Sequence, residues 1–416
     1  MKKLLISADT IMPISSELLK DSALVIVDGK IKDIGSASRL RNHYKNIEEL
    51  ELGEGILLPG FINAHTHLEL GWIKNKIGGF KGFTQWLQQI ISAKKEAVSN
   101  QDIEDSVSEG IKSQIASGVT TVGEISSYGG LDIPILKKSG LRTVLFREAV
   151  DSKETTMDFD SFEKSDLYEE RLFPHAPYSC SPGLLEKVLK SHKKNKRPLG
   201  IHLAESREEI NFVNRKANSI ENEIFPLIAK ESFKRKKADT PFGYLKSLGF
   251  FDKNKVTTIH MVQVKADEVK EIQNLDVGIV LCPRSNLFLQ VGLPPLKEYA
   301  KLKRVGLGTD GLSSNYNLDF FEELRVLHLL WSDALGKEAS YESVHAATLG
   351  GASALFLEDK IGSLEIGKEA DLIFLNSKNK FQNPYLSVVS STNENLELLM
   401  VKGNILYSKN PKLASI

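Results

Sequence analysis

Eight short runs rich in β-branched residues set the rhythm of this chain: ILLPGFINAH, VTTVGEI, RTVLFREA, RLFPHAP, PLGIHLAE, KVTTIHM, VGIVLCP and VGLGTD. Longer charged segments with helical periodicity separate them. Strands that alternate with helices make parallel sheets, because each crossover carries the chain back over one face. Eight such units over about 300 residues predict an α/β fold built on a (β/α)8 TIM barrel, whose reactive side chains stand at the C-terminal strand ends.

The two ends of the chain read differently. LLISADTIM, SALVIVDGKIKDIG and IEELELGEG alternate apolar and polar residues, and so do ADLIFLNSK and ELLMVKGNILYSK after the glycine-punctuated IGSLEIGKEAD. Short strands with Asp-Gly and Gly turns predict a small β-sandwich made from both ends, residues 1–56 with 362–416, flanking a catalytic barrel over 57–361. The Lys/Glu-rich piece Ser206–Thr240, with FKRKKAD, is expected to be a solvated helical insertion after the fifth strand, a lid over the site being the alternative.

Bulk properties narrow the partners. Lys plus Arg equals Asp plus Glu, 54 each, so no overall charge draws the chain to nucleic acid or to an anionic membrane. Asp9 interrupts MKKLLISADTIM before a signal-peptide core develops, and no stretch approaches the ~20 apolar residues of a membrane span. Cys180 and Cys282 lie far apart and suit a reducing compartment. These features point to a soluble cytoplasmic protein acting on a small polar molecule. They leave the oligomeric state open, a homodimer being the assembly considered.

Reading off the end of each run gives His65 and His67 on the first strand, His175 on the fourth, His202 on the fifth, His260 on the sixth and Asp310 on the eighth. Residues i and i+2 of a strand face the same way, so His65 and His67 project together, a chelating pair for zinc or a similar metal. Five of the nine histidines stand at strand ends. The other four, His43, His192, His328 and His345, fall in helical or lysine-rich contexts and read as structural.

LPGFINAHTH, GVTTVGE, HLAES, IHM, GLGTDGLSS and the terminal GSLEIGKEADLI, in this order, resemble the amidohydrolase superfamily in its mononuclear deaminase and chlorohydrolase branch. The resemblance implies a barrel with a sandwich from both chain ends. It also implies one divalent metal ion, zinc with iron(II) as the alternative, held by His65, His67, His202 and Asp310. Glu205 would be the proton shuttle, His260 would orient the attacking water, and Asp310 would accept its proton. The binuclear relatives carry a lysine at the end of the fourth strand. Here PHAPYSC places His175 there, which implies a single metal and a substrate contact.

The activity implied is hydrolytic deamination of an adenosine-like nucleoside. Aminodeoxyfutalosine deaminases of the menaquinone route are the most similar group, and methylthioadenosine/S-adenosylhomocysteine deaminases the next. Chlorohydrolases, deaminases of guanine or cytosine, and a non-enzymatic barrel scaffold are the other readings. Arg147, at the end of the third strand, is expected to point into the barrel mouth and clamp a substrate carboxylate. Adenosine-type relatives carry a glutamate for the ribose close to a tryptophan in the first loop. Here Lys95 stands near that point and Glu96 is one position off, so no ribose ligand is assigned.

Overall fold

Alternation at the N-terminus makes a meander of β1 (Lys3–Ile11), β2 (Leu19–Val27) and β3 (Lys30–Ser36), in which each strand is antiparallel to the next. Asp28 and Gly29, the two-residue turn joining β2 to β3, both have left-handed φ, +50° and +78°, the conformation that an Asp-Gly hairpin turn supplies. β4 (Glu48–Glu51) and β5 (Ile56–Pro59) then pair with β1 in parallel. The structure, a computed structural model, describes residues 3–96, 98–228, 230–376 and 381–411.

The eight runs become β6 (Phe61–His67), β7 (Val119–Ser126), β8 (Arg142–Ala149), β9 (Tyr168–Pro174), β10 (Leu199–Leu203), β11 (Val256–His260), β12 (Val277–Leu281) and β13 (Val305–Leu307). The two-residue β14 (Asp310–Gly311) prolongs the eighth unit beside β6. All their ladders are parallel, in the order β10-β11-β12-β13-β6-β7-β8-β9. The ring is bridged between its first and last members where the His202 N–H donates to the His175 carbonyl at 3.0 Å. This is the (β/α)8 barrel expected from the sequence.

Side-chain alternation sorts the strand residues. Ile62, Ala64, Ile125, Val144, Phe146, Phe173, Ile259 and Val280 form one buried cluster, while Leu145 and Leu172 belong to the larger core that the helices pack against. On β8, therefore, even-numbered residues face inward and odd-numbered ones outward.

β15 (Leu372–Leu375), β16 (Leu396–Val401) and β17 (Asn404–Ser408) return to complete an eight-stranded mixed sheet, ordered β17-β16-β15-β5-β1-β2-β3 with β4 on β1. β5 belongs to this sheet, so it runs to Pro59, past position 56. Arg142 of β8 ties the barrel to it: Nε donates to Asp371 Oδ2 at 2.8 Å and Nη2 donates to Glu369 Oε2, all three side chains being buried. The segment after β10 holds a helix at Arg207–Val213, a π-helical turn at Ile220–Ile224 and a short helix at Phe225–Leu227. Its buried residues include Phe212, Val213, Ile220, Ile224 and Phe225, so it is more than a solvated appendage. Among the described residues no helix is long and apolar enough to cross a membrane.

Candidate metal centre and active-site cavity

The barrel brings five of the polar strand-end residues to one point. Nε2 of His65 lies 3.4 Å from Nε2 of His202, and Oδ1 of Asp310 lies 3.5 Å from His65 Nε2 and 3.7 Å from His67 Nε2. His65, His67 and His202 make one group of converging donor atoms; His65, His260 and Asp310 make a second. Donors about 2.1 Å from a common tetrahedral centre stand about 3.4 Å apart. The observed separations fit a divalent ion, and so does the chemistry of the donors. Burial, followed by the neighbouring His65, pulls His67 down to about 3, and burial with the surrounding imidazoles holds His202 well below its usual value. Both are therefore neutral, the form that binds metals. Burial would raise Asp310, but the hydrogen bond with His65, together with the neighbouring imidazoles, holds it well below the usual carboxylate range.

Asp310, His202 and His260 are held from behind. Asp310 Oδ2 accepts from Ser285 Oγ at 2.7 Å and from Ser314 Oγ at 2.8 Å, which leaves Oδ1 toward the histidines. His202 Nδ1 donates to the His175 carbonyl at 3.0 Å, and His260 Nδ1 lies 3.0 Å from Asn286 Oδ1. Such partners set imidazole orientation and tautomer. Glu205, buried, places Oε1 3.6 Å from His260 Nε2. Burial, reinforced by Asp310, pushes its carboxyl well above the ordinary range, and burial pulls His260 down to about 4.

The backbone is strained at the same place. Ala204, His260, Met261 and Asp310 all have left-handed φ, +53°, +71°, +48° and +57°. Non-glycine residues occupy that region at a cost of about 1–2 kcal/mol each.

A cavity of about 560 Å³ opens onto this cluster. His67, His175, His202, Glu205, His260 and Asp310 line its reactive end, and Leu70, Leu87, Ile90, Ile91 and Phe225 supply an apolar wall. His175 faces the cavity with Nδ1 2.8 Å from Ser179 Oγ. Lys94, Glu148, Asp151 and Lys230 add charge, with Lys230 Nζ 2.9 Å from Asp151 Oδ2. Among the lining residues, Trp86 Nε1 donates to the Ser313 carbonyl at 2.7 Å.

Arg147 is not brought there. It is odd-numbered on β8 and faces outward, where Nη1 donates to the Ser161 carbonyl and Nη2 to the Asp158 carbonyl, each at 2.7 Å, with Glu170 Oε2 at 3.7 Å. The expected clamp is corrected by strand phase: its neighbour Glu148 is the residue that lines the cavity. Glu96 lies outside as well, paired with Lys76 at 2.6 Å. Ser285, Asn286, Ser314, Glu148 and Lys230 were not singled out in the sequence. The available signals were the run CPRSN after the seventh strand, which seats Ser285 and Asn286 together, and GLGTDGLSS, which carries Ser314.

The amidohydrolase family model matches residues 56–406. The chain is 29% identical to the 5-methylthioadenosine/S-adenosylhomocysteine deaminase of Moorella thermoacetica, over 98% of this chain and 95% of that one. It is 31% identical to the 5'-deoxyadenosine deaminase of Methanobrevibacter smithii, over 96% and 86%. Among solved structures, Helicobacter pylori aminofutalosine deaminase in complex with methylthio-coformycin superposes with a TM-score of 0.82 at 25% identity, covering 96% of this chain and 99% of that chain. The chain belongs to the amidohydrolase family, and it is a hydrolase that acts on carbon–nitrogen bonds.

Proposed function

We propose that this hydrolase is a metal-dependent deaminase that replaces the 6-amino group of an adenosine-like nucleoside with oxygen, releasing ammonia, and that its preferred substrate is aminodeoxyfutalosine, converted to futalosine for menaquinone synthesis. The observation that carries the reading is the cavity itself: Glu205, His260 and Asp310 converge at its reactive end, beside donors spaced for a divalent ion. The related chains named above are nucleoside deaminases, which supports the same class.

An ion held by His65, His67, His202 and Asp310 would supply water with a pKa near 7 in place of 15.7, worth on the order of 12 kcal/mol of ionisation free energy. Asp310 Oδ1 accepts the proton that the water gives up. His260, with Nδ1 donating to Asn286, keeps Nε2 free to orient the attacking oxygen. Glu205 delivers its own proton to the ring nitrogen beside the attacked carbon, takes up the proton left on the added oxygen as the carbonyl forms and passes it to the leaving amine, and the proton held by Asp310 then restores Glu205. Water adds, ammonia departs, and the ring keeps a carbonyl.

The substrate assignment rests on the remainder of the cavity lining. Its aliphatic and aromatic side chains suit an aryl substituent, and Lys94 and Lys230 are the lysines that line the cavity. A second reading, S-adenosylhomocysteine, is favoured by the Lys230–Asp151 pair, whose opposite charges suit an amino-acid terminus. Ammonia release from aminodeoxyfutalosine, S-adenosylhomocysteine, methylthioadenosine, adenosine, guanine and cytosine separates these. Aminodeoxyfutalosine should give the highest kcat/KM, and Lys230→Met should lower it roughly 10- to 100-fold, the worth of one charge-assisted hydrogen bond. Methylthioadenosine should change little. Preference for a free base would overturn the nucleoside assignment, and a higher kcat/KM on S-adenosylhomocysteine would move the assignment to the second reading.

A further inference from the structure

Behind the reactive end of the cavity lies a second buried carboxylate, four residues after Glu205. Glu209 sits in the first turn of the helix Arg207–Val213 and is 1% exposed. Its side chain reaches back toward the strand end: Oε1 accepts from the Ala204 N–H at 3.1 Å and Oε2 from the Glu205 N–H at 3.0 Å. Ser206 completes the device, its Oγ accepting from the Glu209 N–H at 3.3 Å. Among the described residues no lysine or arginine forms a salt bridge with Glu209.

A carboxylate buried without a cation is costly, by several kcal/mol. What it holds explains its place. β10 ends at Leu203, and the chain then turns through left-handed Ala204. Ala204 carries a Cβ, so the turn is disfavoured, and the N–H groups of residues 204 and 205 leave the strand ladder in a buried place. Buried N–H groups need acceptors. Glu209 supplies two, one from each oxygen. Glutamine would offer a single carbonyl oxygen and set its NH2 against the other N–H, donor against donor. The arrangement calls for a carboxylate.

We propose that Glu209 is a positioning residue for the reaction: by clamping the two N–H groups of the left-handed turn, it sets where the Glu205 carboxyl stands relative to His260. The inference rests on the proton-carrying part assigned to Glu205 above. Glu209 does not itself line the cavity and is not one of the converging donors; it meets the lining through the main-chain N–H of Glu205, so its influence on rate passes through the turn.

Kinetics of the metal-loaded enzyme test it, with the nucleoside that the wild-type protein deaminates fastest as substrate. Glu209→Gln should keep full metal content and hold KM within about threefold while lowering kcat 10- to 100-fold, because the clamp acts on a proton-transfer geometry and not on binding. Combined with Glu205→Gln, it should cost less than about twofold more, since there is no carboxyl left to position. Adding Ala204→Gly to Glu209→Gln should recover part of kcat, because glycine adopts the left-handed turn without strain. Should Glu209→Gln fail to fold, Glu209→Asp, one methylene shorter, should give the same selective loss in kcat. Independent, multiplying losses for the Glu205 and Glu209 substitutions would overturn the proposal, as would wild-type kcat in both Glu209→Gln and Glu209→Asp. Near wild-type turnover in Glu205→Gln alone would instead overturn the assignment of Glu205.

Discussion

Replacing Arg147 with methionine should weaken the fold and leave substrate choice untouched. The guanidinium donates to the carbonyls of Ser161 and Asp158 at 2.7 Å each, stands 3.7 Å from Glu170, and lies 5.5 Å from the centre of the Phe162 ring. Hydrogen bonds from a charged donor are worth roughly 1.5–3 kcal/mol each. The side chain is 22% exposed, so water recovers part of what the two carbonyls lose, and the lower end applies. Methionine keeps the apolar stem over Phe162. The expected loss is about 3 kcal/mol of unfolding free energy, read as a lower urea midpoint for the metal-loaded protein with an unchanged slope. At 25 °C kcat/KM should fall by the same small factor on aminodeoxyfutalosine, methylthioadenosine and adenosine. A tenfold or greater loss confined to aminodeoxyfutalosine, with no change in the urea midpoint, would refute the outward placement and restore the clamp.

Glu205→Gln should retain the metal, measured by elemental analysis, and lose roughly 10²–10⁴ in kcat, the usual worth of general acid–base help; a near wild-type rate would make Glu205 a spectator. His202→Ala should lose metal content and activity together, and chelation of the wild-type protein should do the same reversibly, because the ligands form the whole protein coordination shell; full activity in verified metal-free protein would end the mechanism. Burial opposes ionisation of Glu169, yet Arg171 and Lys164 hold it at about 2, below the ordinary 4.5. A depressed carboxyl adds stability that is complete above pH 4.5 and is lost as pH falls toward 2, here on the order of 3 kcal/mol. Glu169→Gln should flatten unfolding free energy against pH across that window, and an unaltered slope would show that the pair contributes nothing.

The barrel was legible because its signal is redundant. Each β-branched run is short, but eight of them in alternation with helical segments leave few folds that bury every strand on both faces. The converging histidines were legible for a similar reason, since a strand-end position fixes both height and direction once β6, β10 and β11 are placed. Arg147 shows the limit. RTVLFREA reads as a strand without revealing its phase, because Val144, Leu145 and Phe146 are all apolar and β8 is buried on both faces. Side-chain period is two, so an uncertainty of one residue exchanges the cavity for the outer surface. Glu148, not Arg147, inherits the inward position.

What the sequence concealed most is the layer that holds the reactive groups from behind. Ser285 and Ser314 reach Asp310 from different loops, and Asn286 reaches His260 across 26 positions. The Ser285 and Asn286 contacts depend on the closed ring and not on local pattern, whereas Ser314 stands four residues after Asp310 in the same loop. The strained turns are hidden for a related reason: alanine at 204, histidine at 260 and aspartate at 310 are not glycine, the residue by which left-handed backbone is most readily read. Strain without glycine persists only where the surroundings over-determine it. At Ala204 those surroundings are the two oxygens of Glu209 and the Gln263 N–H, which donates to the Ala204 carbonyl at 2.7 Å. The turn is therefore bonded on both sides of its peptide plane. A group that must carry a proton repeatedly without drifting from its partner requires that kind of support, and the same eight residues, HLAESREE, encode both the group and its brace.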